Sequence, residues 1–193
     1  MALTDLFRAR RTVPVFGHQA DPAPQSLFDR LSRTAERKID ARDNRGPQGA
    51  ARHLLGAAVL QRRALIVAPA DSAIHEHANW LAEHLRGVRL HPTLSSAVHD
   101  AWLACDDTVL VIDADMFRDM NEAVDVLMPF RREHPDQVIV IASRSFAAHD
   151  FSCERAVIAD ASLRLPLTGP QLALGLGAAI SNHASIRRRG WPV

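Results

Sequence analysis

From about residue 63 onward, short unbroken apolar runs alternate with stretches whose apolar residues recur every three or four positions. Ala64-Leu-Ile-Val-Ala68, Thr108-Val-Leu-Val-Ile-Asp113 and Val138-Ile-Val-Ile-Ala142 are rich in Val and Ile, as suits central strands covered on both faces. Val88–His91 and Ser162–Leu165, the latter ending at Pro166, predict two more strands. The first intervening helix opens at Asp71 or Ser72, where a short oxygen side chain caps free N–H groups. Ile74, Ala78, Leu81 and Leu85 form its buried stripe, and Gly87 is its expected stop. Further helices are predicted over 95–105, over 121–132 with Ala123, Val124, Leu127 and Met128 inward, and over 150–158. A last helix is predicted over 169–188, its closing Arg187-Arg188-Arg189 complementing the negative end of the helix dipole. Strands and helices in strict alternation, joined by short connections, predict an α/β domain: a doubly wound five-stranded parallel sheet of order 2-1-3-4-5.

The chain before residue 63 reads differently. Pro14, Gly17, Pro22 and Pro24 interrupt residues 1–25, which carry too little apolar surface for a core and are expected to be mobile. Leu27, Leu31, Ala35 and Ile39 predict a helix over 26–39, with Arg30, Arg33, Arg37 and Lys38 around its other sides. A break follows at 40–49, then a second helix over 50–60. Charge divides the chain at the same place: residues 1–63 hold 12 Arg or Lys against 6 Asp or Glu, and residues 64–193 hold 11 against 16. The halves thus carry +6 and −5 within a chain of net charge +1. Residues 1–62 are accordingly a basic, partly disordered extension with one or two helices, and 63–188 the folded domain.

Composition excludes several classes. No apolar run approaches the roughly 18 residues of a membrane span, and the N-terminus lacks the apolar segment of a secretory signal. Two widely spaced cysteines, Cys105 and Cys153, give no disulfide framework, so a reducing cytoplasm is the expected location. Neither has a CxxC partner, and both are expected to be buried or inert. A basic arm can contact nucleic acid, but no helix-turn-helix pattern or aromatic platform accompanies these arginines, so nucleic-acid binding stays an alternative.

In a sheet of this order, ligands bind outside the carboxyl ends of the strands where the order reverses. The residues delivered there are Ala68, Pro69 and Asp71 after the first strand, Asp113 and Asp115 after the third, Ser143 after the fourth and Leu165 after the fifth. Asp106 and Asp107 lie at the other end of the third strand, about 20 Å away, and cannot join Asp113 in one metal site. His75, His77 and His84 lack the one-turn spacing of a zinc-protease helix and are read as polar residues of a solvated face. Gly175 and Gly177 sit in an apolar helix, where each costs about 1 kcal/mol of propensity, so close packing is their expected use. Trp80 falls off its helix's apolar stripe and is expected to be half exposed.

Taken together, Val-Leu-Val-Ile-Asp113-Ala-Asp-Met116, Ile-Val-Ile-Ala-Ser143 and Leu163-Arg164-Leu165-Pro166 resemble the receiver domain of bacterial response regulators over roughly residues 63–186. The resemblance implies a flavodoxin-like fold, Asp113 at the phosphoacceptor position and Ser143 as the switch hydroxyl, with Asp71, Asp115 and Leu165 completing the pocket. Two departures stand out. Ala68 and Pro69 stand where receivers carry the acidic pair that holds Mg2+, and Leu165 stands where they carry a lysine. The chain therefore looks like a pseudo-receiver: a non-enzymatic regulatory or scaffold module that binds another protein, similar to those heading pilus-assembly localisation ATPases. It implies no catalytic residue, metal or cofactor. The alternative is a working Mg2+-dependent phosphoacceptor that borrows Asp71 or Asp115 as a metal ligand. Apolar residues spread around the last helix further predict a homodimer through Leu172, Leu174 and Leu176.

Overall fold

A computed structural model describes residues 56–190. The helix expected over 26–39 and most of the basic extension lie outside the described residues. A short helix α1 (Ala57–Leu60) leads into five strands: β1 (Arg63–Val67), β2 (Gly87–His91), β3 (Thr108–Asp113), β4 (Val138–Ser143) and β5 (Ala161–Arg164). They form one parallel sheet of order β2-β1-β3-β4-β5, in register Val67↔Ile112 and Asp113↔Ala142, which is the flavodoxin-like α/β order. Helices α2 (Ala78–His84), α3 (Leu94–Val98), α4 (Met120–Glu133) and α5 (Gly169–Arg189) complete the layers. No described helix is long and apolar enough to cross a membrane.

The apolar runs read as fully buried strands because alternate residues feed two cores. Ala64, Ile66, Val109, Val111, Val140 and Leu163 face Ile74, Leu81, Leu172 and Leu176 on one side. Leu65, Val67, Leu110, Ile112, Ile139 and Ile141 face Ala97, Leu127 and Phe130 on the other. Each Val, Leu, Ile or Phe so removed from water contributes about 1.5–3 kcal/mol, which is why β1, β3 and β4 hold no polar residue between their ends.

Local chemistry sets the boundaries. Ser72 caps a 3-10 helix (Ala73–His77) by accepting from the Ile74 N–H at 3.2 Å. α2 ends at His84, and Gly87, expected as its stop, instead opens β2. A Cβ on Gly87 would come within 2.6 Å of the Trp102 ring. The helix expected over 95–105 is split: α3 stops at Val98, and Asp100 accepts from the Trp102 N–H at 2.9 Å to start a separate 3-10 helix (Ala101–Ala104). The helix expected over 150–158 is absent. There Asp150 and Ser162 exchange two main-chain bonds of 2.8 Å, and Asn182 of α5 donates to the Phe151 and Asp160 carbonyls at 2.9 and 2.8 Å, so tertiary partners replace a helical ladder.

Helix α5 divides the two glycines. A Cβ on Gly175 would lie 2.6 Å from Leu163, so its bare backbone lets α5 approach β5, whereas Gly177 has nothing within 4 Å and no such role. Leu172 and Leu176 are fully buried against the sheet, which corrects their placement at a dimer interface; of the three leucines only Leu174 reaches the surface. Trp80 is half buried, beside Gly169 at the start of α5.

Candidate functional site

The carboxyl ends of β3, β4 and β5 bring four of the expected residues, Asp113, Asp115, Ser143 and Leu165, to one edge of the sheet. Asp113 is the last residue of β3 and only 3% exposed. Its carboxylate is held from two sides: the Ser72 hydroxyl donates to Oδ2, and the Asp115 N–H donates to Oδ1 at 2.9 Å. The second bond starts a 3-10 helix (Ala114–Met116) that turns the chain away from the strand. Asp115 is exposed and leans the other way: it accepts from the Ser143 hydroxyl at 2.5 Å and the Arg144 N–H at 3.0 Å. Ser143 itself is buried, and its oxygen accepts in turn from the Ser145 N–H at 3.0 Å. The two carboxylates are thus satisfied by separate sets of neutral donors.

Leu165, at the position of the receiver lysine, is 3% exposed and belongs to the core beneath the pocket. Its N–H donates to the Ser143 carbonyl at 2.9 Å, and its bond to Pro166 is cis. Asp71 is exposed at the turn before Ser72, and among the described residues no three His, Cys, Asp or Glu side chains converge where they could hold a metal ion. The element closing over Asp113 is therefore Ser72, which the sequence marked as a helix cap and not as a pocket residue. A serine five positions beyond a strand end carries no pattern of its own, so nothing local signalled it.

The histidines turn inward to the main chain more than expected. His75 Nε2 donates to the Pro69 carbonyl at 2.8 Å, and His84 bonds the Trp80 carbonyl at 2.7 Å while stacking on its ring. Burial holds His77 below the usual imidazole value, with a main-chain bond to Leu167 and the nearby Glu76 offsetting only part of it. Cys153 is exposed and not buried, and Cys105 is half buried; both are free thiols.

A second polar cluster, unmarked by the sequence, occupies the opposite end of the sheet. Arg131 and Asp160 are 2% and 0% exposed; their side chains pair at 2.8 Å, Arg131 also donates to the Gln137 carbonyl at 2.6 Å, and Asp160 accepts from the Ile139 N–H at 2.8 Å. His183 Nδ1 lies 3.4 Å from Asp160, beside a cavity of about 190 Å³.

Comparison with known proteins adds little. No family model and no curated protein matches the sequence. Among solved structures, a Burkholderia pseudomallei protein described as pilus assembly-related matches with a TM-score of 0.49 at 18% identity, over 66% of this chain and 95% of that one. The match assigns no role to any residue.

Proposed function

We propose that residues 63–188 form a non-catalytic pseudo-receiver, a regulatory or scaffold module that acts by binding other proteins. One observation carries the reading: the cation position is Leu165, buried in the core, while the Asp113 carboxylate is held by a serine hydroxyl and an amide. Phosphoryl transfer to an aspartate draws on a divalent ion held by neighbouring carboxylates and on a cation beyond the phosphoryl group. Here Ala68 and Pro69 follow β1, Asp71 points to solvent, and a neutral leucine stands in place of the cation. An incoming phosphoryl group would have to displace Ser72 and would gain no countercharge in exchange.

Incubation of the protein with a small phosphodonor and excess Mg2+, followed by intact-mass measurement, is expected to show no addition. A gain of about one phosphoryl group, lost in Asp113→Asn, overturns the reading in favour of a working phosphoacceptor.

The module is further proposed to pair with a second copy through the outer face of α5. Leu174 is the residue to test, because Leu172 and Leu176 are committed to the sheet. Light scattering is expected to show a dimer for the parent chain and a monomer for Leu174→Glu; a monomer for both at high micromolar concentration removes the dimer.

A further inference from the structure

The turn leaving β4 has the donor arrangement of a small oxyanion site, and the chain fills it with its own carboxylate. The buried Ser143 hydroxyl and the Arg144 N–H converge on Asp115 at 2.5 and 3.0 Å. The Ser143 hydroxyl has one proton to give, and it goes to Asp115, because the Ser143 oxygen already accepts from the Ser145 N–H at 3.0 Å and lies 2.7 Å from the Ser145 hydroxyl. A hydroxyl and a successive amide aimed at one point form a concavity that takes carboxylate or phosphate oxygens.

We infer that Asp115 is the resident anion of an oxyanion-binding turn at Ser143–Arg144, and that it keeps the loop after β4 in its anion-bound form without any external ligand. Asp115 itself is exposed, so water would serve its carboxylate nearly as well. The Ser143 hydroxyl is buried, and without Asp115 it would have to turn to the Ser145 hydroxyl 2.7 Å away, which places the cost of losing the contact on the β4 loop. Asp115 reaches the turn from the 3-10 helix that the Asp113 carboxylate nucleates, so the two aspartates act in series: Asp113 aims the backbone and Asp115 fills the site. The inference builds on the pseudo-receiver reading by explaining why such a module needs no phosphoryl group to fix that loop.

The test is amide NMR on the full chain. In the parent protein the Arg144 amide is expected to be protected and unmoved by sodium acetate or phosphate. In Asp115→Ala, which retains the backbone N–H bond to Asp113, Arg144 is expected to exchange about tenfold faster. Millimolar acetate or phosphate, but not chloride at equal ionic strength, should restore its protection, and whichever anion restores more identifies the preferred oxyanion. Should the alanine variant fail to fold, Asp115→Asn, with one acceptor oxygen in place of two, is expected to give an intermediate rate. An Arg144 amide equally exposed in parent and variant, or one that neither oxyanion rescues, overturns the inference. Phosphorylation of Asp113 measured by mass would sink the pseudo-receiver reading alone, since the Arg144 amide reports on Asp115 independently.

Discussion

The two ends of the parallel sheet solve the same problem, a carboxylate at a strand terminus, with opposite chemistry. At the amino-terminal end, Asp107 meets Arg63 and Arg86 at 3.2 and 3.3 Å, and the buried Asp160 pairs with an equally buried Arg131. At the carboxyl-terminal end, Asp113 and Asp115 take a serine hydroxyl and an amide N–H each. Ion pairing in a dry interior is stabilising only as a complete set, because either partner left alone is a buried, uncompensated charge. Neutral donors around a strand-end carboxylate carry no such all-or-nothing penalty. The amino-terminal end thus rests on complete ion pairs, and the carboxyl-terminal edge on neutral donors that can be lost one at a time.

Removing the same group from each end should separate these two designs. Asp160→Ala strands Arg131 in the core and is expected to cost about 3–5 kcal/mol. Asp113→Ala leaves the Ser72 hydroxyl and the Asp115 N–H without their acceptor and is expected to cost about 1–3 kcal/mol. Urea unfolding of both variants measures the difference directly. Equal losses would mean that Asp113 carries structural weight comparable to the buried pair, and the contrast between the ends would collapse.

How much of this was readable from residues alone follows from which interactions are local. The strands β1, β3 and β4 announced themselves because burial on both faces forces continuous apolar runs, and their order follows from the alternation with helices. Asp113, Ser143 and Leu165 were legible as strand-end residues for the same reason. What stayed hidden depends on partners distant in sequence. Asn182 organises 150–160 from more than 20 residues away, so the helix expected over 150–158 never forms. Ser72 reaches Asp113 across 41 positions, and Arg131 reaches Asp160 across a strand and a loop. Nothing in the sequence around Arg131 distinguishes a buried guanidinium from a solvated one. The leucines of α5 failed differently: a helix apolar on several faces does not declare which face meets the sheet, and Gly175 against Leu163 settles it.

The smallest effect, and a further refinement of the contrast, is the response to acid. Burial disfavours charge on Asp100, but the Trp102 N–H, Arg89 and His91 outweigh it and hold this carboxyl below its ordinary value of 3.8. His77 lies below 6.5, chiefly through burial. Both groups bind a proton less readily folded than unfolded, so each contributes stability that is complete above its unfolded value and is lost as pH falls toward its folded one. The His77 contribution should fade first, just below pH 6.5, and that of Asp100 only below about pH 3.8. Denaturation midpoints across this range, compared between the parent, His77→Gln and Asp100→Asn, should show each variant flattening its own window and leaving the other intact. The order of loss has a structural consequence: burial is what penalises the charged imidazole, and His77 lies beside Leu167, just past the β5 end, so the first contribution lost belongs to the carboxyl-terminal edge of the sheet. If His77→Gln leaves the slope below pH 6.5 unchanged, the first loss lies elsewhere and the carboxyl-terminal edge is not the acid-sensitive end.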